Sequence, residues 1–333
     1  MTRISWTPEM DRLALQCLAA AESQWSAWED FRATGGPEAQ NVRYEAYRAR
    51  ATRLRDRQPA NDVVANDVRP ETLLTSGTVF MGIGDIHADK HDRTAFELVR
   101  RIGIDIQPSV VWQSGDLADV ASMNAHPKSD LRDESSLKRE LQGAIEVCDA
   151  IDSFKAKRMV FTMGNHEQRV EREIVRRLPA VHGMVSIESE LGLGKRGWEV
   201  YPYRKIAMIG DTAAVHDLEN FGATAHEKAL VKTGCSTMIG HTHTFGITWR
   251  GDALGRRKFA LAAGHVASRE ATRYMSDATD DYLHQMGVIT GVITPDGKLF
   301  PNLHPIVVDE HGYRCIVNGK LYQIRSQHPR GAA

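Results

Sequence analysis

Five short clusters hold the side chains best able to do chemistry: Gly84-Asp85-Ile86-His87, Gly115-Asp116-Leu117-Ala118-Asp119, Gly164-Asn165-His166-Glu167, the single His216, and Gly240-His241-Thr242-His243. Carboxylate, imidazole and amide oxygen, with no thiolate among them, suit borderline divalent ions. An Asp and a His two positions apart at a strand end project the same way and offer one ion an oxygen and a nitrogen. Alone, Asp-x-His equally describes a capped turn; recurrence of the pattern along the chain singles it out. Two such ions about 3.5–4 Å apart clamp a phosphate group and make a bridging hydroxide available near neutral pH.

The elements that must position these residues are legible around them. Thr78–Ile83, Ser109–Gln113, Arg158–Met163, the run before His216 and Thr237–Ile239 are apolar and of strand length. The glycine that often follows is expected to let the backbone turn tightly. Asp92–Ile102 has the helical period of an amphipathic helix (Phe96, Leu98, Val99, Ile102), which makes a β-α-β unit of the first two strands. Leu137–Phe154 and Val170–Leu178 read as further helices, so Arg169 stands near a helix start beside the third cluster. It is placed either to bind phosphate oxygens bidentately or to pair with Glu167 or Glu173. Asp89 is either a partner that holds a ligand histidine in its tautomer or a surface turn residue. Residues 119–136 are polar and form a candidate substrate lip, with Asn124, His126 and Lys128 in reach of a phosphate. From Lys258 onward the chain is β-rich, with hairpin turns at Pro295-Asp-Gly297 and within Val317–Tyr322.

The ordered set of clusters resembles the calcineurin-like metallophosphoesterase superfamily, in the style of its nuclease-like phage and bacterial members, from Thr78 to the C-terminal region. The resemblance implies a four-layer α/β/β/α sandwich whose second sheet comes from the β-rich C-terminal part. By it, Asp85, His87 and His243 hold one metal, Asn165, His216 and His241 hold the other, and Asp116 bridges them. His166 is then the catalytic histidine that is not a ligand, placed to protonate the leaving group or stabilise the transition state. Two divalent ions are implied, manganese foremost, with iron, zinc, nickel or magnesium as alternatives. The protein phosphatases of the superfamily carry Asp-Arg-Gly where this chain has Asp119-Val-Ala121, which counts against a phosphoprotein substrate.

Residues 1–60 read as a separate three-helix unit. Thr7-Pro8-Glu9 is a helix start, Gln24 begins a second helix broken at Thr34–Pro37, and Glu38–Arg57 reads as a third. Trp6-Thr-Pro-Glu, Trp25 and Val42-Arg-Tyr44 resemble a Myb/SANT-type helix-turn-helix, whose third helix enters the DNA major groove. Six arginines against two acids over residues 43–57 make that helix locally basic, and Arg43, Arg48 and Arg50 are the candidate DNA contacts. A protein-interaction module is the other role open to such a unit. Residues 61–77 read as a linker and 78–333 as the catalytic domain.

A formal net charge of −1 excludes whole-chain affinity for nucleic acid but not a local patch. Four scattered cysteines without metal spacing fit a reducing compartment. With no apolar leader and no run of membrane-spanning length, a cytoplasmic location is expected. The activity expected is phosphodiester hydrolysis, with DNA as the partner and substrate. Phosphomonoester hydrolysis, or a binding role with a structural metal centre, are the alternatives.

Overall fold

The computed structural model describes residues 6–20, 23–57, 77–123, 137–251, 255–268 and 284–325. The chain divides into two compact units, Met1–Leu74 and Thr75–Ala333. Most of the stretch read as a linker lies outside the described residues.

The described residues of the first unit form four helices, α1 (Pro8–Ala20), α2 (Gln24–Thr34), α3 (Pro37–Gln40) and α4 (Tyr44–Arg57). The single third helix expected over Glu38–Arg57 is interrupted after Gln40. The interruption follows from packing: Val42 is buried in the core, and its carbonyl accepts a hydrogen bond from Trp28 Nε1 at 2.9 Å instead of continuing a helix. Ser23 caps α2, its hydroxyl accepting from the Ser26 amide. Met10, Ala14, Phe31, Val42 and Tyr47 form the core, and the Tyr47 hydroxyl donates to the Ala14 carbonyl at 3.1 Å.

The second unit runs β1 (Thr78–Ile83), α5 (Arg93–Ile106), β2 (Val110–Gln113), α6 (Leu137–Asp152), β3 (Arg158–Thr162), α7 (Asn165–Arg177), α8 (Ile187–Glu190) and β4 (Trp198–Tyr201). It continues through β5 (Ala207–Ile209), β6 (Thr212–Val215), α9 (Ala225–Thr233), β7 (Thr237–Ile239), β8 (Phe245–Gly251) and β9 (Arg257–Ala263). It ends in β10 (Gly287–Ile293), β11 (Leu299–Pro305), β12 (Val307–Asp309), β13 (Gly312–Val317) and β14 (Lys320–Ile324). The six-stranded sheet has the order β11-β10-β1-β2-β3-β4, with β1 to β4 parallel. The five-stranded sheet has the order β5-β6-β7-β9-β8, with β6, β7 and β9 parallel.

Strand alternation explains the layers. Phe80, Trp112 and Val160 face the second sheet, where they meet Ala214, Met238, Phe259 and Leu261. Their neighbours Met81, Val111, Met159 and Phe161 face the opposite way, onto Leu98 and Ile102 of α5 and Val147 and Ile151 of α6. Burying Leu98, Val99 and Ile102 contributes about 1.5–3 kcal/mol each, more than the capping of α5 by the Asp92 carboxylate. On the outer face of the second sheet, Ala225 and Ala229 of α9 pack on Val215 and Ile239. The result is the α/β/β/α sandwich.

The C-terminal strands depart from expectation. Only β9 joins the second sheet, whereas β10 and β11 extend the first, and β12, β13 and β14 form a small sheet of their own. The reason lies in β10. Val288 enters the helix-side core and Ile289 the core between sheets, so both faces need cover and the strand must lie inside a layered sheet. The two hairpins form as read. Gly297 (φ 87°) turns β10 into β11, and Asn318 (φ 51°) and Gly319 (φ 78°) turn β13 into β14.

Candidate functional site

Seven parallel strands end toward one region, where open α/β sheets place their ligands. Asp85 and His87 follow β1, Asp116 follows β2, Asn165 opens α7 after β3, His216 follows β6, and His241 and His243 follow β7. The chain turns at these points, but the glycines are not what turns it in most cases. His87 (φ 54°), Asp116 (φ 46°), His241 (φ 66°) and His243 (φ 55°) themselves adopt the left-handed conformation. Each costs about 1 kcal/mol or more and is a mark of functional sites. Gly115 is left-handed too (φ 104°). Gly164 and Gly240 instead supply room: a Cβ would lie 2.1 Å from Asp116 Oδ1 at the first and 2.5 Å from Asp85 Oδ1 at the second. The expectation that these two permit a tight turn is corrected to close approach.

Two donor groups result. Asp85, His87 and His243 bring ligand atoms within 4.8 Å of one another, as do Asp116, His216 and His241. They adjoin, since His216 Nδ1 lies 3.9 Å from Asp85 Oδ1. Asn165 Oδ1 lies 3.0 Å from His216 Nε2. The arrangement fits metal ions by its own hydrogen bonding. His216 Nδ1 donates to the Ser114 carbonyl at 2.9 Å, yet Nε2 faces Asp116 Oδ2 at 3.3 Å. A neutral ring would aim a lone pair at a carboxylate, so the position calls for positive charge, from a proton or a metal ion. Burial disfavours that charge, but the Asp116 and Asp85 carboxylates outweigh it and push this imidazole up to about 10. In the other group His87 Nε2 and His243 Nε2 approach to 3.1 Å while His243 Nδ1 is buried without a partner. Burial pushes the Asp85 carboxyl up to about 6, and burial and His87 lower His243 well below the ordinary histidine value.

The residues behind the donors differ from expectation. Asp119, not Asp89, orients His87, accepting from its Nδ1 at 3.1 Å. The same carboxylate pairs with Lys90 at 2.9 Å and lies 3.3 Å from His166 Nδ1. Burial would raise Asp119, but hydrogen bonds from His166 and His87 hold it well below the usual carboxylate range. Asp89 is engaged by Arg139 at 3.3 Å. Glu167 is fully buried and accepts from the amides of Asp116 (3.0 Å), Ala118 (3.0 Å) and Gly164 (2.8 Å), tying the loop of the second cluster to the start of α7. His265, which follows β9, is buried and stacks on His243 at 4.9 Å, and burial lowers it to about 3. His265 ends the apolar run that begins at Phe259, and that is the signal in the sequence that finds it.

His166 donates Nδ1–H to the Asp119 carbonyl at 2.6 Å, which leaves Nε2 on the donor side, 3.9 Å from Asp116 Oδ2. Burial alone would lower this imidazole, but Asp116 and Asp119 raise it. Arg169 reaches the carbonyls of Asp119 and Val120 at 3.4 and 3.3 Å and not Glu167 or Glu173, the latter being held by Arg176 and Arg177. Asn124, with His126 and Lys128, lies outside the described residues. In the first unit Arg43 and Arg48 are exposed, whereas Arg50 is clamped by Asp11 through bonds of 2.9 and 2.6 Å.

A model of the calcineurin-like phosphoesterase family matches residues 78–288. The chain belongs to that family. The calcineurin-like phosphoesterases act with divalent metals, so this chain is a metal-dependent phosphoester hydrolase whose donor groups are candidate metal sites. It is similar to the Gene 54 proteins of the mycobacterium phages L5 and D29, each 26% identical over 264 residues that span 73% of this chain and 97% of the relative. Among solved structures, Vps29 of Chaetomium thermophilum aligns with a TM-score of 0.41 and 12% identity, covering 77% of this chain and all of that one. Vps29 of Entamoeba histolytica aligns with a TM-score of 0.40 and 11% identity, covering 72% of this chain and 97% of that one. Among the described residues no helix is long and apolar enough to cross a membrane.

Metal binding has a thermodynamic signature apart from activity. Manganese at about a hundred times its dissociation constant is expected to stabilise the folded chain by about 2.7 kcal/mol, read as a rise in melting temperature that EDTA reverses. A melting temperature indifferent to manganese, zinc and EDTA alike would sink the metal assignment.

Proposed function

We propose that this chain is a two-metal phosphodiesterase acting on DNA, as a nuclease or end-processing enzyme, delivered to its substrate by the helical first unit. In this reading Asp85, His87 and His243 would hold one ion and Asn165, His216 and His241 the other, with Asp116 shared between the two groups. The observation that supports this most is the adjacency of the two donor groups through His216, with His166 beside Asp116. The ions supply Lewis acidity and a hydroxide at neutral pH when bound. The protein's own part is positional. Asp119 holds the His87 ring and, through its carbonyl, the His166 ring, so that His166 Nε2 is presented to the leaving oxygen. Arg169, anchored on the carbonyls that follow the second cluster, carries positive charge to the same wall and contacts a non-bridging oxygen.

Manganese-loaded protein is tested on para-nitrophenyl phosphate, its bis-ester, and single- and double-stranded DNA. Turnover of bis-ester and DNA is the expected result. Turnover of the monoester alone replaces the diesterase reading with a phosphomonoesterase.

Delivery is tested separately. Arg43 and Arg48 remain exposed on or beside α4, while Arg50 is neutralised within its own unit. Replacing Arg43 and Arg48 together by Gln is expected to weaken DNA binding across sequences and to lower the salt slope by about 2, one for each phosphate contact. An unchanged slope assigns the first unit to a protein partner.

A further inference from the structure

We infer that Phe221 is a stacking platform for a planar ring carried by the phosphoester, so that the site favours aryl and nucleobase esters over aliphatic ones. The inference rests on the phosphoester reading of the site above. Phe221 is 64% exposed, although phenylalanine is among the side chains that folding buries most often. Its ring lies 5.7 Å from that of His241, inclined at 65°. His241 belongs to the donor group with Asp116 and His216. An exposed apolar ring therefore stands against a candidate metal ligand, one side chain away from where a phosphate would be held.

The segment that carries it is pinned on both sides. Asp217 is buried and accepts the Glu219 amide at 2.8 Å, Arg204 pairs with Asp217 at 3.4 Å and Glu219 at 2.5 Å, and Lys232 donates to the Leu218 carbonyl. Asn220 is only 7% exposed, so the residue before the ring is held in the protein. Glu219 (φ 60°) and Gly222 (φ 80°) are both left-handed and bracket the turn that throws Phe221 outward. The left-handed Glu219 costs conformational energy while most of the ring stays in solvent, so the benefit of the turn lies outside the fold. The neighbouring aromatic is different in kind. Tyr203, 6.4 Å from His216, is covered by the Arg204 guanidinium at 4.8 Å. Of these two described rings, Phe221 is the one left to receive a partner, and a flat π-face selects a planar one: stacking of a base on an aromatic side chain is worth about fivefold in affinity or more.

The test uses the manganese-loaded full chain and two pairs of anions that differ by a flat ring: phenylphosphonate against methylphosphonate, and deoxyadenosine monophosphate against deoxyribose phosphate. The protein is expected to bind the ring-bearing member of each pair about fivefold or more tightly. Phe221→Ala is expected to erase both preferences, and Phe221→Trp to restore them. Preference confined to the phenyl pair assigns the platform to aryl esters, and preference in the nucleotide pair to nucleobases. Preferences that survive in Phe221→Ala, or that are absent from the unsubstituted protein, overturn the inference. Turnover of the bis-ester by the unsubstituted protein reports independently on the phosphodiesterase reading, which stands or falls on that result alone.

Discussion

Asp116→Asn is expected to lower diester turnover by about a thousandfold or more while leaving the fold intact. Both carboxylate oxygens of Asp116 are committed to the site. Oδ1 accepts the His166 amide at 3.0 Å, and Oδ2 lies 3.3 Å from His216 Nε2 and 3.9 Å from His166 Nε2. Asparagine keeps the shape and, through Oδ1, the bond to the His166 amide. What it removes is the negative charge, which the site uses twice. It outweighs burial to raise His216 and His166, and it would share a bridging position between cations. Burial works against that charge, but His166 and His216 hold the Asp116 carboxyl well below the usual range, so it is ionised throughout the working pH range. The check is steady-state turnover of the bis-ester with manganese, alongside far-UV circular dichroism and melting temperature. Activity within tenfold of the unsubstituted enzyme, at normal folding, would remove Asp116 from the bridging role.

The second large effect is expected at His166, and its size depends on the leaving group. His166→Ala is expected to slow hydrolysis of DNA or an alkyl ester by about a hundredfold to ten-thousandfold. For a para-nitrophenyl ester the loss is expected to be far smaller, because nitrophenolate departs without a proton. The structure supplies the reason to expect an acid here. The Asp119 carbonyl at 2.6 Å fixes the proton on Nδ1, and a second proton on Nε2 is favoured by Asp116. His166 is also nearly buried, so bulk water does not easily replace it as a proton donor. Equal losses for good and poor leaving groups would assign His166 to charge stabilisation instead of proton transfer. Because the ring also packs edge-on at 4.7 Å against His87, metal content is measured in the same samples to separate a lost acid from a lost ion.

Both predictions concern residues that local sequence pattern was able to mark. Asp85, His87, Asp116, Asn165, His216, His241 and His243 each follow a strand that is apolar and short, and the end of a strand is a local property. Parallel strands then carry their C-terminal ends to one edge, so seven separate positions become one site. That is why the candidate donors and the strands that present them were legible in the chain, whereas the layered fold was implied by the family resemblance.

Other features depend on which distant segments meet, and pattern does not encode that. Asp89 is two residues from His87, yet Asp119, thirty-two residues away, makes the hydrogen bond, because the loop after β2 runs beside the loop after β1, with Ala88 paired to Ala118. Glu167 was readable as a motif letter, but its three amide partners come from two strand ends. The C-terminal strands were legible as strands, while their division among three sheets depended on how many faces of each had to be covered. Arg50 was legible as one of six basic residues on a helix, and only tertiary packing set it against Asp11. The sequence by itself marked the candidate donors and the strands that present them, because alternation and strand ends are local. The tertiary structure alone decided which carboxylate steers which histidine and which ring is left exposed beside the site, because those contacts join residues that are near only after folding.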